Sequence, residues 1–310
     1  ACVGSAVREL DAKRDRATAR QLPSTLHEQG HGLLGVMTER ATGTGQEMEP
    51  DELRAVALAA QRMGRKGASH AHQEDGLTAP PARLRLVGAV LGAALARAGH
   101  RVVAAYAVSV ASRQRAHALL PGVALVTPPE VFAASDLVIL AVPDDALPGL
   151  VEGLVATRSI RAGQIVVHTS GRHGADVLEP ATLLGALPLA LHPVMTFTGS
   201  AVDLERLGGA MFGVTAPEPL WPIAAALVVE MGAEPIRIAE QDRTLYHAAL
   251  AHGANHLVTL VNDAMDLLRH AGVAEPDRTL APLLSAALDN VLRQGDAALT
   301  GPVARGDAGT

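Results

Sequence analysis

Two histidines and an asparagine in the C-terminal part of the chain have side chains and a spacing that suit proton transfer. Asn255 and His256 follow His252 by three and four residues, which places all three on one face of a helix. Histidine can donate a proton near neutral pH, so these residues are candidate catalytic groups for a proton transfer. The alternative interpretation is that they are polar groups packed at a domain interface. Tyr246 and His247, about two helical turns earlier, are weaker candidates.

A second set of polar residues follows two strand-like apolar runs. His168, Thr169 and Ser170 come directly after one run, and His192 comes after another. Hydroxyls and backbone N–H groups at such a point could bind a carboxylate, or they could simply cap a helix that begins near Gly174. We predict that these four residues bind a small-molecule substrate, without assigning a base among them.

One short run matches a metal-binding pattern. Residues 27–31, HEQGH, fit H-E-x-x-H, in which two histidines on one helical face bind zinc and the glutamate acts as a base. Gly30 and Gly32 weaken any helix there, and no third ligand stands at a known spacing. A zinc peptidase is therefore a remote alternative, and the sequence predicts no metal site.

The elements that must position these residues alternate between strand and helix patterns. Residues 137–142 are apolar without alternation, which predicts a strand buried on both faces, and residues 146–157 then follow a helical pattern. A further strand is predicted at 164–168. Repeated alternation up to residue 238 predicts a doubly wound, mostly parallel α/β sheet, in which ligands bind beyond the carboxyl ends of the strands.

The pattern divides the chain into three parts. Residues 1–80 lack strand-like runs and are predicted to be an irregular segment with a linker, and residues 81–240 form the sheet domain. Residues 241–310 are predicted to be all-helical. The loop that ends at Thr310 has no natural stop signal, so we expect the chain to be truncated there.

Composition restricts the classes of partner. The net charge of −6 provides no basic surface for nucleic acid. No apolar run approaches the length of a membrane span, so no membrane partner is expected. Cys2 is the single cysteine, which rules out a disulfide within the chain and favours a cytoplasmic setting.

Several strings carry a resemblance to a known group of proteins. They are LAVPDD at 140–145, HTSG at 168–171, LHPVMTFTG at 191–199, FGVT at 212–215 and YHAALAHGANH at 246–256. Together they resemble the bacterial Rossmann-like oxidoreductases that carry a helical C-terminal domain of unknown function. This group lies in the superfamily of 6-phosphogluconate dehydrogenase, ketopantoate reductase and pyrroline-5-carboxylate reductase. The resemblance covers residues 83–310 and implies an NAD(P)-binding domain, but it does not supply a substrate.

The resemblance also implies roles for individual residues. Ala141, Val142 and Pro143 would line the nicotinamide side of the cofactor. The related dehydrogenases use a lysine and an asparagine on the long helix after the sheet. This chain has no lysine there and offers the group around His252 instead.

The glycine pattern of the cofactor site is incomplete. A G-x-G-x-x-G loop needs three glycines, and here Gly88 and Gly92 remain. Gly88 could be the first glycine, which leaves a short loop, or the third, which leaves the first strand missing. We prefer the second alignment; the alternative is that both glycines serve helix packing alone.

The residues after the predicted strand at 101–106 indicate which cofactor is preferred. No Asp or Glu stands there to bind ribose hydroxyls, whereas Ser109, Ser112 and Arg113 suit a 2′-phosphate. This pattern predicts NADP, with NAD as the alternative, unless Arg113 is an ordinary surface residue.

The sequence thus predicts an NADP-dependent oxidoreductase that reduces a C=O or C=N bond of a small metabolite. We expect a homodimer through the C-terminal helices, which are rich in leucine and alanine. The alternative function is a catalytically inactive dinucleotide-binding or scaffold protein, which the absent lysine and the incomplete glycine loop favour.

Overall fold

A computed structural model describes the backbone of residues 32–37 and the whole of residues 86–300. The HEQGH run at 27–31 and the loop at 301–310 lie outside these residues. The strands are β1 Gly32–Met37, β2 Arg101–Ala107, β3 Ala124–Leu125, β4 Leu137–Ala141, β5 Ile165–His168, β6 Leu187–Pro193, β7 Met211–Thr215 and β8 Glu234–Arg237. The helices are α1 Val87–Arg97, α2 Val110–Leu119, α3 Pro128–Ala134, α4 Leu147–Ala156, α5 Glu179–Thr182, α6 Val202–Leu207, α7 Trp221–Glu230, α8 Arg243–His270 and α9 Pro276–Gln294.

Local sequence explains where several helices begin and end. Ser109 caps α2 by accepting a hydrogen bond from the backbone N–H of Ser112 at 3.1 Å. Thr127 and Glu130 form a capping box at the start of α3. Gly99 follows α1 with a φ of +99°, a conformation that glycine adopts without steric cost.

All eight strands of the described region belong to one sheet in the order β3-β2-β1-β4-β5-β6-β7-β8. The pairs β2–β3, β4–β5, β5–β6 and β7–β8 are parallel, and β6–β7 is antiparallel. The predicted doubly wound, mostly parallel α/β fold followed by helices is therefore confirmed.

The central strand β1 was not predicted. It lies between β2 and β4 and runs antiparallel to both, with Gly32 opposite Ala107 on one side and Ala141 on the other. The expectation that residues 1–80 contain no strand is therefore wrong. The run GLLGVM is short and contains two glycines, which weaken a strand signal when the pairing partners are unknown.

Strand β4 divides the core into two layers. Leu137 and Ile139 pack on one face of the sheet with residues of α1 and α7. Val138 and Leu140 pack on the other face with residues of α3 and α4. Every residue of β4 is buried, as its unbroken apolar sequence predicted.

The chain divides into two compact units, residues 1–247 and residues 248–310. The first contains the sheet and the first turn of α8, and the second contains the rest of α8 and α9. Among the described helices, none is both long and apolar enough to cross a membrane.

Candidate active site

The carboxyl ends of β4, β5 and β6 meet at one edge of the sheet because these strands are parallel. Asp144 follows β4, the run 168–171 closes β5, and His192 lies near the end of β6. In the same compact unit, the first turn of α8 brings Arg243, Tyr246 and His247 to this edge. The edge therefore gathers charged and titratable side chains from four segments of the chain.

His168 is fully buried and both of its ring nitrogens are engaged by the backbone. Nε2 donates to the carbonyl of Gly174 at 2.8 Å, and Nδ1 accepts from the N–H of Ser170 at 3.2 Å. Burial lowers the pKa of His168 to about 3. The hydrogen bond to Gly174 acts in the opposite direction, whereas Arg243 and the neighbouring histidines lower the pKa slightly further. The ring is therefore neutral and holds the turn after β5 in place.

The two hydroxyl residues after His168 also take part in this turn. The Ser170 hydroxyl accepts from the backbone N–H of His173 at 3.0 Å. The N–H of Thr169 continues the sheet by donating to Leu140 at 3.3 Å. These hydrogen bonds show how the turn after β5 is positioned. Binding of a substrate by His168, Thr169 and Ser170 stays a prediction.

His192 is hydrogen-bonded to Tyr246, with 2.8 Å between Nδ1 and the phenol oxygen. The Tyr246 hydroxyl can donate its proton to His192 Nδ1 in this contact. Burial raises the pKa of the Tyr246 phenol, which keeps it protonated. Burial also lowers the pKa of His192 to about 4, helped by His247 and Arg243. His192 is consequently neutral and carries its proton on Nε2.

Gly171 allows the two histidines to pack closely on the backbone after β5. A Cβ atom at this position would clash with His247 Nδ1 and would lie 2.9 Å from His192 Nε2. The two ring nitrogens therefore point towards the same place and fill the space that a side chain at position 171 would need. His247 Nδ1 is buried and has no hydrogen-bond partner among the described residues. Its other ring nitrogen, Nε2, lies 3.9 Å from Asp144 Oδ2.

Arg243 is a buried cation that joins the strand ends. Nη2 donates to the carbonyls of Ala190 at 3.1 Å and Gly213 at 3.0 Å, and Nε donates to the Thr215 hydroxyl at 2.7 Å. Nη1 lies 3.4 Å from the carbonyl of Ser170. Burial lowers the pKa of Arg243, but a guanidinium stays charged. The cation therefore places positive potential at the carboxyl edge of the sheet.

The sequence analysis did not name Arg243, although a signal was present. A cation in the first turn of a helix is disfavoured by the helix dipole, so an arginine there indicates a tertiary role. Tyr246 and His247, which were the weaker candidates, lie in the cluster.

Gly88 lies in the first turn of α1 and packs against the end of β4. A Cβ at Gly88 would lie 3.0 Å from the Ala141 Cβ, so the helix approaches the strand closely because this residue is glycine. Close packing of helix on strand is the role of the third glycine in a dinucleotide fingerprint, which favours the second alignment. Ala141 and Val142 are buried and Pro143 is half-buried at the same strand end.

A polar cluster follows β2 at the start of α2. Ser109 donates to the Ser112 hydroxyl at 2.8 Å, and Arg115 Nη2 donates to the same hydroxyl at 3.2 Å. Arg113 is exposed and lies outside this cluster. The arginine that joins the two serines is therefore Arg115, which sequence analysis did not name.

The described residues fit one part of a dinucleotide site. Gly88 fits the helix N-terminus, and the cluster after β2 fits a ribose phosphate. In this alignment Arg83 and Arg85 occupy the positions of the first two glycines, which are absent from the chain, and both arginines lie outside the described residues.

Comparison with known proteins identifies both parts of the chain. Residues 82–193 match the model of the Rossmann-like domain, and residues 210–310 match the domain of unknown function DUF2520. The chain is a Rossmann-like protein with a DUF2520 domain. A search of curated proteins found no match.

Solved structures share the fold at low identity. A proposed NADP oxidoreductase of Bacteroides fragilis is 22% identical, with a TM-score of 0.56, over 71% of this chain and 83% of the other. A semialdehyde dehydrogenase NAD-binding protein of Cupriavidus necator, solved with calcium and NAD, is 17% identical, with a TM-score of 0.52, over 70% and 84%. An NADH-preferring ketol-acid reductoisomerase from an uncultured archaeon is 15% identical, with a TM-score of 0.52, over 71% of each chain. These likenesses establish the fold.

The sequence-predicted catalytic group lies in the DUF2520 domain. His252, Asn255 and His256 share one face of α8 and are exposed. The two histidines contact each other, with 2.8 Å between their Nδ1 atoms and 4.4 Å between ring centroids. Their catalytic role stays a prediction. Among the described residues, no group of three or more His, Cys, Asp or Glu side chains could hold a metal ion.

Proposed function

We propose that this protein is an NADP-dependent oxidoreductase that reduces a C=O or C=N bond of a small metabolite. The observation that carries the proposal is the polar cluster at the carboxyl edge of the sheet, where His192 Nε2 and His247 Nδ1 converge on the backbone of Gly171. Ligands of doubly wound sheets bind at that edge. The bound cofactor would supply a hydride to the substrate.

The residues of this chain would bind and orient the substrate. Neutral His192 would carry its N–H on Nε2, on the side of Gly171, because Tyr246 occupies its other nitrogen. Arg243 lies beneath, so a substrate atom that gains negative charge is stabilised there. A polar carbonyl or imine fits this environment better than an apolar group.

The choice of NADP rests on the cluster of Ser109, Ser112 and Arg115. Hydroxyls and a guanidinium bind a phosphate, whereas a carboxylate at this place would select the ribose hydroxyls of NAD. NAD is the alternative cofactor.

We also propose a homodimer in the cytoplasm. Large apolar side chains of the second unit are exposed in the single chain, among them Leu260, Leu267, Leu283 and Leu292. Exposed leucines on helices mark a surface that another protein covers, and a second copy of this chain is the simplest partner.

A second candidate function is dinucleotide binding without turnover. In a Rossmann site the first strand runs parallel to its neighbours and leads directly into the glycine loop. Here β1 is antiparallel, so its first residue, Gly32, lies beside the strand ends instead of its last. β1 therefore does not lead from the strand ends into α1 as the first strand of a Rossmann site does, which favours altered cofactor binding.

Binding and turnover measurements separate the two functions. We expect NADPH to bind more tightly than NADH, as measured by the fluorescence of the reduced cofactor itself. Trp221 is unsuitable as a reporter because it packs under Arg237 of β8, at the edge of the sheet away from β2. Oxidation of NADPH with a panel of aldehydes, 2-oxo acids and cyclic imines would support the reductase. Binding without oxidation would support the second function, and failure to bind either cofactor would contradict both.

A further inference from the structure

We infer that the loop between β6 and α6 sets the preference for NADPH over NADH, with Gly199 and Asp203 as positioning residues. The loop would hold the Arg115 guanidinium beside Ser112, where the 2′-phosphate of the cofactor is proposed to bind. This inference rests on the proposed binding of NADP and adds to the cluster after β2 a segment from much later in the chain. It depends on the contact of Gly199 with Arg115, on the buried carboxylate that fixes the loop, and on the packing of α6.

Gly199 lies against the aliphatic part of the Arg115 side chain. A Cβ atom at position 199 would lie 2.7 Å from Arg115 Cδ and 2.5 Å from Leu86 Cδ2, so the backbone of the loop packs closely on both side chains. Gly199 also has a φ of +77°, a conformation that glycine adopts without steric cost. The loop can therefore contact both α2 and the residue before α1 because position 199 is glycine.

This contact restricts the direction of the Arg115 guanidinium. Arg115 Nη2 donates to the Ser112 hydroxyl at 3.2 Å, and the Ser109 hydroxyl donates to the same oxygen at 2.8 Å. An arginine side chain has several rotatable bonds, and fixing them costs entropy. Because Gly199 packs on Cδ, the side chain is restricted before a ligand arrives. A restricted guanidinium loses less entropy when it binds a phosphate, which favours NADPH.

A buried carboxylate fixes the loop at the residue that contacts Arg115. Asp203 is fully buried. Its oxygens accept from the N–H groups of Thr198 at 2.8 Å and Gly199 at 2.6 Å, and from the Thr198 hydroxyl at 2.9 Å. Hydrogen bonds from backbone N–H groups to a carboxylate are among the stronger ones in proteins. Asp203 therefore holds the backbone of Gly199 in place and would act on the cofactor through Arg115.

Helix α6, which carries Asp203, is anchored in the core of the first compact unit. Its Leu207 is buried in the same apolar layer as Leu91 and Leu95 of α1. Helix α1 packs against α6 and also against α2. The carboxylate that fixes the loop and the arginine that the loop contacts are therefore both attached to the same central helix.

Binding constants test the inference, because the 2′-phosphate is the sole difference between NADPH and NADH. Fluorescence titration gives the Kd of both cofactors for each variant. Displacement by adenosine 2′,5′-bisphosphate and by adenosine 5′-monophosphate measures the contribution of the phosphate without the nicotinamide. NADH also serves as a control for folding, since a variant that still binds it retains the rest of the site.

Gly199→Ala tests the contact with Arg115. The new methyl group would displace the flexible Arg115 side chain from Ser112, so we expect NADPH binding to weaken about tenfold and NADH binding by less than about twofold. Gly122→Ala is the matched control. Gly122 follows α2 with a φ of +81°, and a Cβ there meets nothing within 4 Å. It introduces similar backbone strain without touching Arg115, so the ratio of the two Kd values should equal that of the wild type.

Asp203→Asn tests the support of the loop. The asparagine keeps the size of the side chain but replaces one acceptor oxygen by a donor, so we expect the preference for NADPH to fall at least about threefold. Thr198→Val removes a single hydrogen bond at an exposed residue and should lower the preference less. This milder variant decides the question if Asp203→Asn fails to fold. Glu205→Gln is the control, because Glu205 is exposed on the same helix.

A double variant distinguishes positioning from a general structural effect. If Gly199 acts through Arg115, Gly199→Ala combined with Arg115→Met should give the same ratio of Kd values as Arg115→Met alone. A purely structural effect of Gly199→Ala would weaken both cofactors by the same factor and would leave the ratio unchanged.

The outcomes separate this inference from the proposed function. A preference for NADPH that Arg115→Met abolishes but Gly199→Ala keeps within about twofold would overturn the role of the loop and leave NADP as the cofactor. Equal losses for both cofactors in Gly199→Ala would also overturn it. So would tighter binding of NADPH by Asp203→Asn, since the carboxylate would then repel the phosphate. A wild type without preference for NADPH would contradict the choice of NADP, and the role of the loop with it.

Discussion

At the scale of single residues, Arg243 joins three neighbouring strands of the sheet. It donates to carbonyls after β5 and within β6 and β7, and to the Thr215 hydroxyl. We predict that Arg243→Met lowers the free energy of unfolding by about 3 kcal/mol, because several buried acceptors lose their donor. Urea unfolding measures this change. Arg269→Met is the matched control: Arg269 pairs with Asp266 at the surface, and its loss should cost less than about 1 kcal/mol. Equal effects in the two variants would contradict the prediction.

The buried His168 makes stability depend on pH. Its pKa is about 3 in the folded protein and 6.5 ordinarily, so the unfolded chain binds the proton first as pH falls. The free energy of unfolding should therefore decrease as pH falls from 6.5 towards 3. We predict that His168→Gln reduces this slope by about 1 kcal/mol per pH unit, as measured by urea unfolding at a series of pH values. The exposed His117 of α2 provides the control, and a slope unchanged in His168→Gln would refute the assignment.

Two arginines of α2 test which residue selects the cofactor. Arg115 contacts Ser112, whereas the sequence-predicted Arg113 is exposed. We predict that Arg115→Met weakens NADPH binding about tenfold more than Arg113→Met and leaves NADH binding nearly unchanged, because only the 2′-phosphate is affected. Fluorescence titration with both cofactors measures the four constants. A larger loss in Arg113→Met would restore the sequence prediction.

At the scale of elements, the approach of α1 to β4 depends on one glycine. We predict that Gly88→Ala destabilises the protein by about 1 kcal/mol or more, because its Cβ would press on Ala141 of a central strand. Alanine usually stabilises a helix relative to glycine, so Gly149→Ala on α4 should gain up to about 1 kcal/mol. The opposite signs are measured by thermal or urea unfolding. A gain in both variants would show that α1 can move away from β4 without cost.

Some of these elements could be predicted from the sequence, and others could not. Strands such as β4 and β5 follow from local patterns and were predicted. Two features could not be predicted from the sequence because they depend on tertiary contacts. β1 is defined by strands that come much later in the chain, and its own sequence is too short to indicate a strand. Arg113 and Arg115 lie two residues apart on α2, and the sequence alone did not indicate which of them contacts Ser112.

At the scale of the whole molecule, the exposed leucines of the second unit predict association. We expect light scattering to give the mass of a dimer, and we expect Leu283→Glu combined with Leu292→Glu to give the mass of a monomer, because charges cannot be buried there. Val229→Glu on α7 is the control, since Val229 is exposed on the first unit. A monomeric wild type, or a double variant that stays dimeric, would contradict this prediction.

The position of β1 has a consequence for how the protein folds. Without β1 the sheet would consist of two pieces, β3–β2 and β4 to β8, each with an unpaired backbone edge at the centre of the molecule. β1 must pair with strands far along the chain, and such non-local pairing forms slowly. Until it forms, the open edges of β2 and β4 are templates for strands of other chains. Pairing of β1 with β2 and β4 closes both of these edges.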